Sequence, residues 1–267
     1  MMTRLAVPLI VAVTTLGAAR PAAPAAPESV DLELALAVDV SGSIDEQEAM
    51  LQREGYIAAF RHPRVVEAIR RGRLGRIAVA YYEWAGFGHI RVIADWTLIH
   101  DRASAEAFAV RLTQVLPERA RRTAISDAID FAVPYFERNE FLGKRKVIDI
   151  SGDGPNNWGR LVTHARDAAV ASGITINGLP IMNGRPLTKG TLPTPDLDLY
   201  YRDCVIGGLG AFIVVAYELK DFAAAVLGKL ILEIAGRRPA GRLVPAAMRK
   251  SPPCDIGEGL SLDYMDY

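Results

Sequence analysis

Short apolar runs alternate with amphipathic stretches from residue 28 onward, and that alternation predicts most of the secondary structure. Leu32–Val38 reads as a buried strand. Asp45–Phe60 reads as a helix, with Asp45 as its N-cap and Met50, Ile57 and Phe60 on one face. Arg76–Tyr82 and Ile90–Trp96 read as strands joined through Gly86-Phe87-Gly88, a link short enough for a hairpin and hence for one antiparallel edge strand. Helices are expected over Ala103–Val115 and Ile125–Arg138, a strand over Lys146–Ile150, and a helix over Leu161–Ser172 striped by Leu161, Ala165, Ala168 and Ser172. Strands at Ile174–Leu179 and Ala211–Ala216 follow, and then a helix over Asp221–Ala235 with Phe222, Val226 and Leu230 on one face. Strands alternating with helices predict an α/β fold: a three-layer, doubly wound, mostly parallel sheet. In such sheets ligands sit beyond the carboxyl ends of the strands.

The two ends of the chain depart from this pattern. Arg4, the apolar stretch Leu5 to Ala19 and the Ala/Pro-rich Arg20–Pro27 read as a signal peptide over residues 1–26, with cleavage after Ala19, Ala23 or Ala26. The stretch is shorter than the roughly 20 apolar residues that span a bilayer, so no stable membrane span is expected after cleavage. The chain is then exported, to the periplasm or outside a bacterial cell. One domain is expected over 30–236, followed by an irregular, proline-containing tail over 237–267.

Composition narrows the function classes. Lys plus Arg and Asp plus Glu both number 31, and no basic stripe with interleaved aromatics argues for nucleic acid. Arg70-Arg71-Gly72-Arg73 and Arg119–Arg122 read as solvated helix ends. Cys204 and Cys254 are the two cysteines. In an oxidising compartment they either bridge, pinning the tail to the domain, or remain two separate thiols. No C-x-x-C pair supports a thiolate metal site, and His62, His89, His100 and His164 lack metal-ligand spacing.

The candidate chemistry lies at strand ends. Asp39-Val40-Ser41-Gly42-Ser43 leaves the first strand with three hard oxygen donors. Thr123 precedes the helix near Ile125, and Asp153 ends Asp149-Ile150-Ser151-Gly152-Asp153-Gly154. Two carboxylates and three hydroxyls suit a hard ion that prefers oxygen ligands. Each residue also has a local reading. Ser41, Ser43 and Thr123 are good helix caps, and Asp153-Gly154-Pro155-Asn156 is a good turn. Asp127 fits a first helical turn, and Asp149 reads as a buried, hydrogen-bonded acid.

Those five residues, in that order and context, resemble the metal-ion-dependent adhesion site of von Willebrand factor type A domains. Within that superfamily the chain is most similar to a bacterial exported family of unknown function. The likeness rests on Gly75-Arg76-Ile77-Ala78-Val79, Asp149 through Asn157, Gly173 through Leu179, and Tyr200-Tyr201-Arg202-Asp203-Cys204-Val205-Ile206-Gly207-Gly208, and it spans Val30 to Ala235. It implies a Rossmann-like fold with Asp39, Ser41, Ser43, Thr123 and Asp153 around Mg²⁺, or Mn²⁺ or Ca²⁺ in its place. It further implies a protein partner that presents Asp or Glu to the ion. Asn156, Asn157 and Trp158 are candidate partner contacts at the rim.

Catalysis finds less support. The chain has no G-x-S-x-G elbow, no G-x-x-x-x-G-K-[ST] loop and no G-x-G-x-x-G opening a helix. Serine at position 41 also excludes the paired aspartates of a haloacid dehalogenase-type phosphotransferase. Two further alternatives stay open. One is a hydrolase that uses the same ion to activate water; the other is a structural module whose site never exchanges ligands.

Overall fold

A computed structural model describes residues 26–182, 196–237, 239 and 250–258. The expected signal segment lies almost wholly outside the described residues. The chain runs β1 (Glu28–Val30), β2 (Glu33–Asp39), α1 (Glu46–Arg61), α2 (Pro63–Arg70), β3 (Ile77–Trp84), β4 (Ile90–Ile99), α3 (Arg102–Thr113), α4 (Ile125–Tyr135), β5 (Phe141–Gly143), β6 (Lys146–Gly152), α5 (Val162–Ala171), β7 (Ile174–Pro180), α6 (Leu197–Tyr200) and α7 (Phe222–Ile234). A π-helical turn, Tyr201–Val205, continues α6.

The main sheet has the order β4-β3-β2-β6-β7. β3, β2, β6 and β7 are parallel, and β4 pairs antiparallel with β3 at one edge. β2 lies at the centre and all seven of its residues are buried, which explains its unbroken apolar run. Successive β2 side chains enter opposite layers. Leu34, Leu36 and Val38 join Tyr56, Phe60, Phe108 and Phe222 on the α1, α3 and α7 side. Ala35 and Ala37 join Ile129, Val162, Ile176 and Tyr200 on the α4 and α5 side. β2 connects onward to its neighbour β3, whereas β6 on its other flank begins the return, so the winding reverses between β2 and β6. Asp39 ends β2, and Asp153 follows β6 directly.

Several expectations need correction. Met50 is 40% exposed, because the inward face of α1 is taken by Gln52 and Arg53, and Arg53 ion-pairs with buried Glu83 of β3. An apolar-only reading of the helix missed that polar seam. Along α5 the buried residues are Val162, Ala165 and Ala169, since Leu161 stands outside the helix as its N-cap. Ala211–Ala216 is not a continuous strand. It meets β7 through single bridges, Gly178 with Ile213 and Ile181 with Ala216, and the Asn177 side chain accepts from the Phe212 backbone N–H at 3.1 Å. α2 is an element the apolar pattern does not predict; Pro63 at its first turn, with the His62 imidazole accepting from the Arg64 N–H, is its start signal.

Candidate metal site

Asp39 sits where the central strand ends and its side chain is wholly buried. Its Oδ1 accepts from the Ser41 backbone N–H at 2.7 Å, which folds the Ser41–Ser43 turn back over the carboxylate. The hydroxyls then run in a chain. Thr123 Oγ1 lies 3.3 Å from Ser41 Oγ, Ser41 Oγ lies 3.2 Å from Ser43 Oγ, and Ser43 Oγ donates to Asp153 Oδ1 at 2.6 Å. The five sequence-predicted residues therefore converge from three separate segments.

None of the three hydroxyl residues caps a helix. Asp45 caps α1, accepting from the Glu48 N–H while the Glu48 carboxylate accepts from the Asp45 N–H. α4 starts at Ala124 with no side-chain cap, and its Ser126 N–H donates instead to Asn156 Oδ1 at 2.9 Å. The capping reading of Ser41, Ser43 and Thr123 thus fails, and their hydroxyls face one another instead.

Two buried atoms at this cluster lack a hydrogen-bond partner. Asp39 Oδ2 is unpaired, as is the Tyr201 phenol oxygen, and both lie against Gly152. A Cβ at position 152 would fall 2.8 Å from each, so glycine is required for this cradle. Burial pushes the Asp39 carboxyl well above its ordinary range; the Asp153 charge adds to the shift and the Ser41 hydrogen bonds oppose it. The Tyr201 phenol is likewise pushed up, first by burial and then by Asp39 and Asp153. Among the described residues no group of three or more His, Cys, Asp or Glu is placed to hold a metal ion. The donor set here is instead two carboxylates and three hydroxyls. An unpaired, buried carboxylate oxygen among hydroxyls fits a small hard divalent cation, which would relieve the repulsion between the two acids.

Two asparagines brace the cluster. Asn157 Oδ1 accepts from the Thr123 N–H, and the Asn157 N–H donates to the Thr123 carbonyl, both at 2.8 Å. Asn156 is wholly buried, so its expected role as a partner contact does not hold. Its Nδ2 donates to the Arg160 carbonyl at 3.1 Å and to Glu258 Oε1 at 2.7 Å, and its N–H donates to the Tyr200 phenol at 3.1 Å. Trp158 is half-buried at the rim, against Phe87 and Arg122. Arg119–Arg122 is not a helix end. α3 stops at Thr113, and the arginines occupy the loop that delivers Thr123, with Arg119 Nη2 donating to the Gly42 carbonyl at 2.9 Å. Cys204 and Cys254 form a disulfide with Cα atoms 5.4 Å apart, and the 250–258 segment lies beside Asn156.

Sequence reasoning missed Tyr201, Phe87 and Arg122. Tyr201 stands where α6 passes into a π-helical turn, a junction that no apolar periodicity reports. The positive φ of Phe87 and Arg122 has no sequence signature in bulky residues.

Comparison with solved structures places this architecture among the von Willebrand factor type A domains. The zinc-occupied form of proximal thread matrix protein 1 from the mussel byssus aligns with a TM-score of 0.52 at 16% identity, over 77% of this chain and 46% of that one. The von Willebrand factor type A protein from Catenulispora acidiphila aligns with a TM-score of 0.52 at 13% identity, over 78% and 42%. The corresponding domain of the Porphyromonas gingivalis type V pilus tip protein Mfa5 aligns with a TM-score of 0.50 at 11% identity, over 82% and 99%. The chain spans about half the length of the mussel protein. No curated protein matches it by sequence. Residues 29–238 match the family described as "Protein of unknown function (DUF1194)", and the chain belongs to that family.

Proposed function

We propose that this chain is an exported, metal-dependent protein-binding module. Asp39, Ser41, Ser43, Thr123 and Asp153 hold Mg²⁺, and a partner's Asp or Glu completes the ion's shell. The observation that carries the reading is the buried, unpaired Asp39 Oδ2 on a carboxylate that is hydrogen-bonded to Ser41, the residue whose hydroxyl links those of Ser43 and Thr123, where the sheet's winding reverses. When bound, the ion supplies a Lewis-acidic position open to a carboxylate. The chain's own residues do the rest. Asp39 and Asp153 supply charge, the hydroxyls shape the cradle, and Asn157 fixes Thr123. Two anionic ligands leave a divalent ion electrophilic enough to take a third from outside.

The mussel neighbour is described with a zinc-occupied motif of this type, and another neighbour with the fold belongs to a pilus tip. Both descriptions favour binding over catalysis and an extracytoplasmic setting. The 1–26 leader supports export, and among the described residues no helix is long and apolar enough to cross a membrane. The test is calorimetric titration of the chelator-stripped protein with Mg²⁺, Mn²⁺ and Ca²⁺. One site per chain is expected, and it should be lost in Asp39→Ala. Failure of all three ions to bind would overturn the reading.

A further inference from the structure

Three segments meet beside Thr123 and build a platform that the metal cluster itself does not use. In the β3–β4 link Phe87 is held at φ 57°, with its side chain turned to solvent and 61% exposed. Arg122, the residue before Thr123, is held at φ 69°. Left-handed backbone costs a bulky residue about 1–2 kcal/mol and persists where surrounding structure enforces it, often at functional sites. Here the enforcement is visible. The Gly86 N–H donates to the carbonyls of Arg121 and Arg122 at 3.1 and 2.8 Å, and a Cβ on Gly86 would lie 2.3 Å from Arg122 Cβ. The two strained positions are locked to each other.

On this frame the Phe87 and Trp158 rings pack with centroids 4.2 Å apart, and the Arg122 guanidinium carbon lies 6.0 Å from the Trp158 centroid. Trp158 follows Asn157, which is bonded twice to Thr123, so the platform is rigidly coupled to one of the five oxygen donors. Phe87 contributes no core burial, so its rigid display is unexplained by folding. Phe, Trp and Arg are the residue types that dominate the energetics of protein interfaces. Arg119, Arg121 and Arg122 on this loop outnumber the nearby carboxylates Glu118 and Asp127, a positive excess suited to an acidic segment.

We infer that Phe87, Trp158 and Arg122 form a second anchor. It takes a bulky apolar side chain from the same acidic partner segment whose Asp or Glu reaches the ion. The inference rests on the metal-dependent reading above. Thr123 adjoins Arg122 directly, and about three extended residues span roughly 10 Å, so the apolar residue is expected within about three positions of the acid.

The test is selection of a displayed random octapeptide library on the full chain in Mg²⁺, repeated in chelator and on Phe87→Asn. Asparagine tolerates positive φ and keeps the link's conformation. The expected pool carries Asp or Glu with Phe, Tyr, Trp or Leu within three positions. Phe87→Asn should retain Mg²⁺ binding and the acid requirement, lose the apolar preference, and bind the selected peptide about tenfold more weakly. Enrichment of the acid alone, or an apolar preference that survives Phe87→Asn, would overturn the anchor and leave the metal reading intact. A pool without acids, or one unchanged by chelator, would overturn the metal reading itself.

Discussion

Ser43 Oγ donates to Asp153 Oδ1 at 2.6 Å across 110 residues of sequence, joining the turn after β2 to the loop after β6. That bond spans the reversal point of the sheet and holds Asp153 close enough to Asp39 for the two charges to oppose one another. Without a cation the pair is a net liability; with one it becomes a ligand set. Asp39→Asn should therefore reverse sign with conditions. In chelator the variant should melt at a higher temperature than the wild type, because a buried repelled charge is gone. With Mg²⁺ at about 100 times its dissociation constant the wild type should gain about 2.7 kcal/mol that the variant lacks. Thermal melts of both proteins in the two buffers read this directly, and a variant destabilised in both would contradict it.

Gly152 supplies a sharper steric test. Alanine there would set a methyl 2.8 Å from both Asp39 Oδ2 and the Tyr201 phenol oxygen, on a sheet position with no slack. Gly152→Ala should cost about 1–3 kcal/mol in urea melts. It should weaken Mg²⁺ binding far more than a mutation of equal cost elsewhere, such as Ile129→Val in the α4 core. Equal Mg²⁺ affinity in the two variants would show that the cradle is not where the ion sits.

Much of this site was legible because its parts are local signals placed by a predictable fold. Asp39, Ser41 and Ser43 follow an unbroken apolar run, and Asp153 follows a strand whose apolar residues Val147, Ile148 and Ile150 are interrupted by Asp149. What the sequence concealed depends on tertiary placement. Arg53 faces inward because its guanidinium pairs with the buried Glu83 of β3, which no helical periodicity of apolar residues reports. Asn156 looked like a rim residue but is buried, because the 250–258 segment lies over it with Glu258. Phe87 between two glycines could be read as a turn; its positive φ and its stacking on Trp158 come from contacts far away in sequence.

The Cys204–Cys254 bridge closes a separation of 50 residues and ties the 250–258 segment to the π-helical turn that carries Tyr201. Replacing both cysteines with alanine should cost about 2–4 kcal/mol, measured by urea melts against the oxidised wild type. It should also free Glu258 from Asn156 and lower Mg²⁺ affinity a few-fold through the loosened Asn156 brace. An unchanged denaturation midpoint would show that the bridge contributes nothing to the fold.

A last prediction concerns the opposite layer of the sheet. Lys229 and Glu233 of α7 meet Asp149 of β6 in full burial; Lys229 Nζ contacts both carboxylates, and Asn177 Nδ2 donates to Glu233 Oε1 at 2.8 Å. One ammonium faces two acids, with Tyr56 nearby and its phenol pushed up by burial and by Asp149. Burial, followed by the Asp149 charge, pushes the Glu233 carboxyl up to about 7. A raised carboxyl pKa means that the folded chain holds a proton the unfolded chain releases near pH 4.5. Its contribution is therefore full below that value and is lost as pH rises through about 7. Glu233→Gln mimics the protonated form, so its urea-melt stability should fall less than the wild type's between pH 5 and pH 8, with the two closest at pH 5. Lys229→Met, which strands Asp149 against Glu233, should cost about 3–5 kcal/mol at pH 8 and less at pH 5. Parallel stability profiles for wild type and Glu233→Gln would show that Glu233 does not titrate in this window.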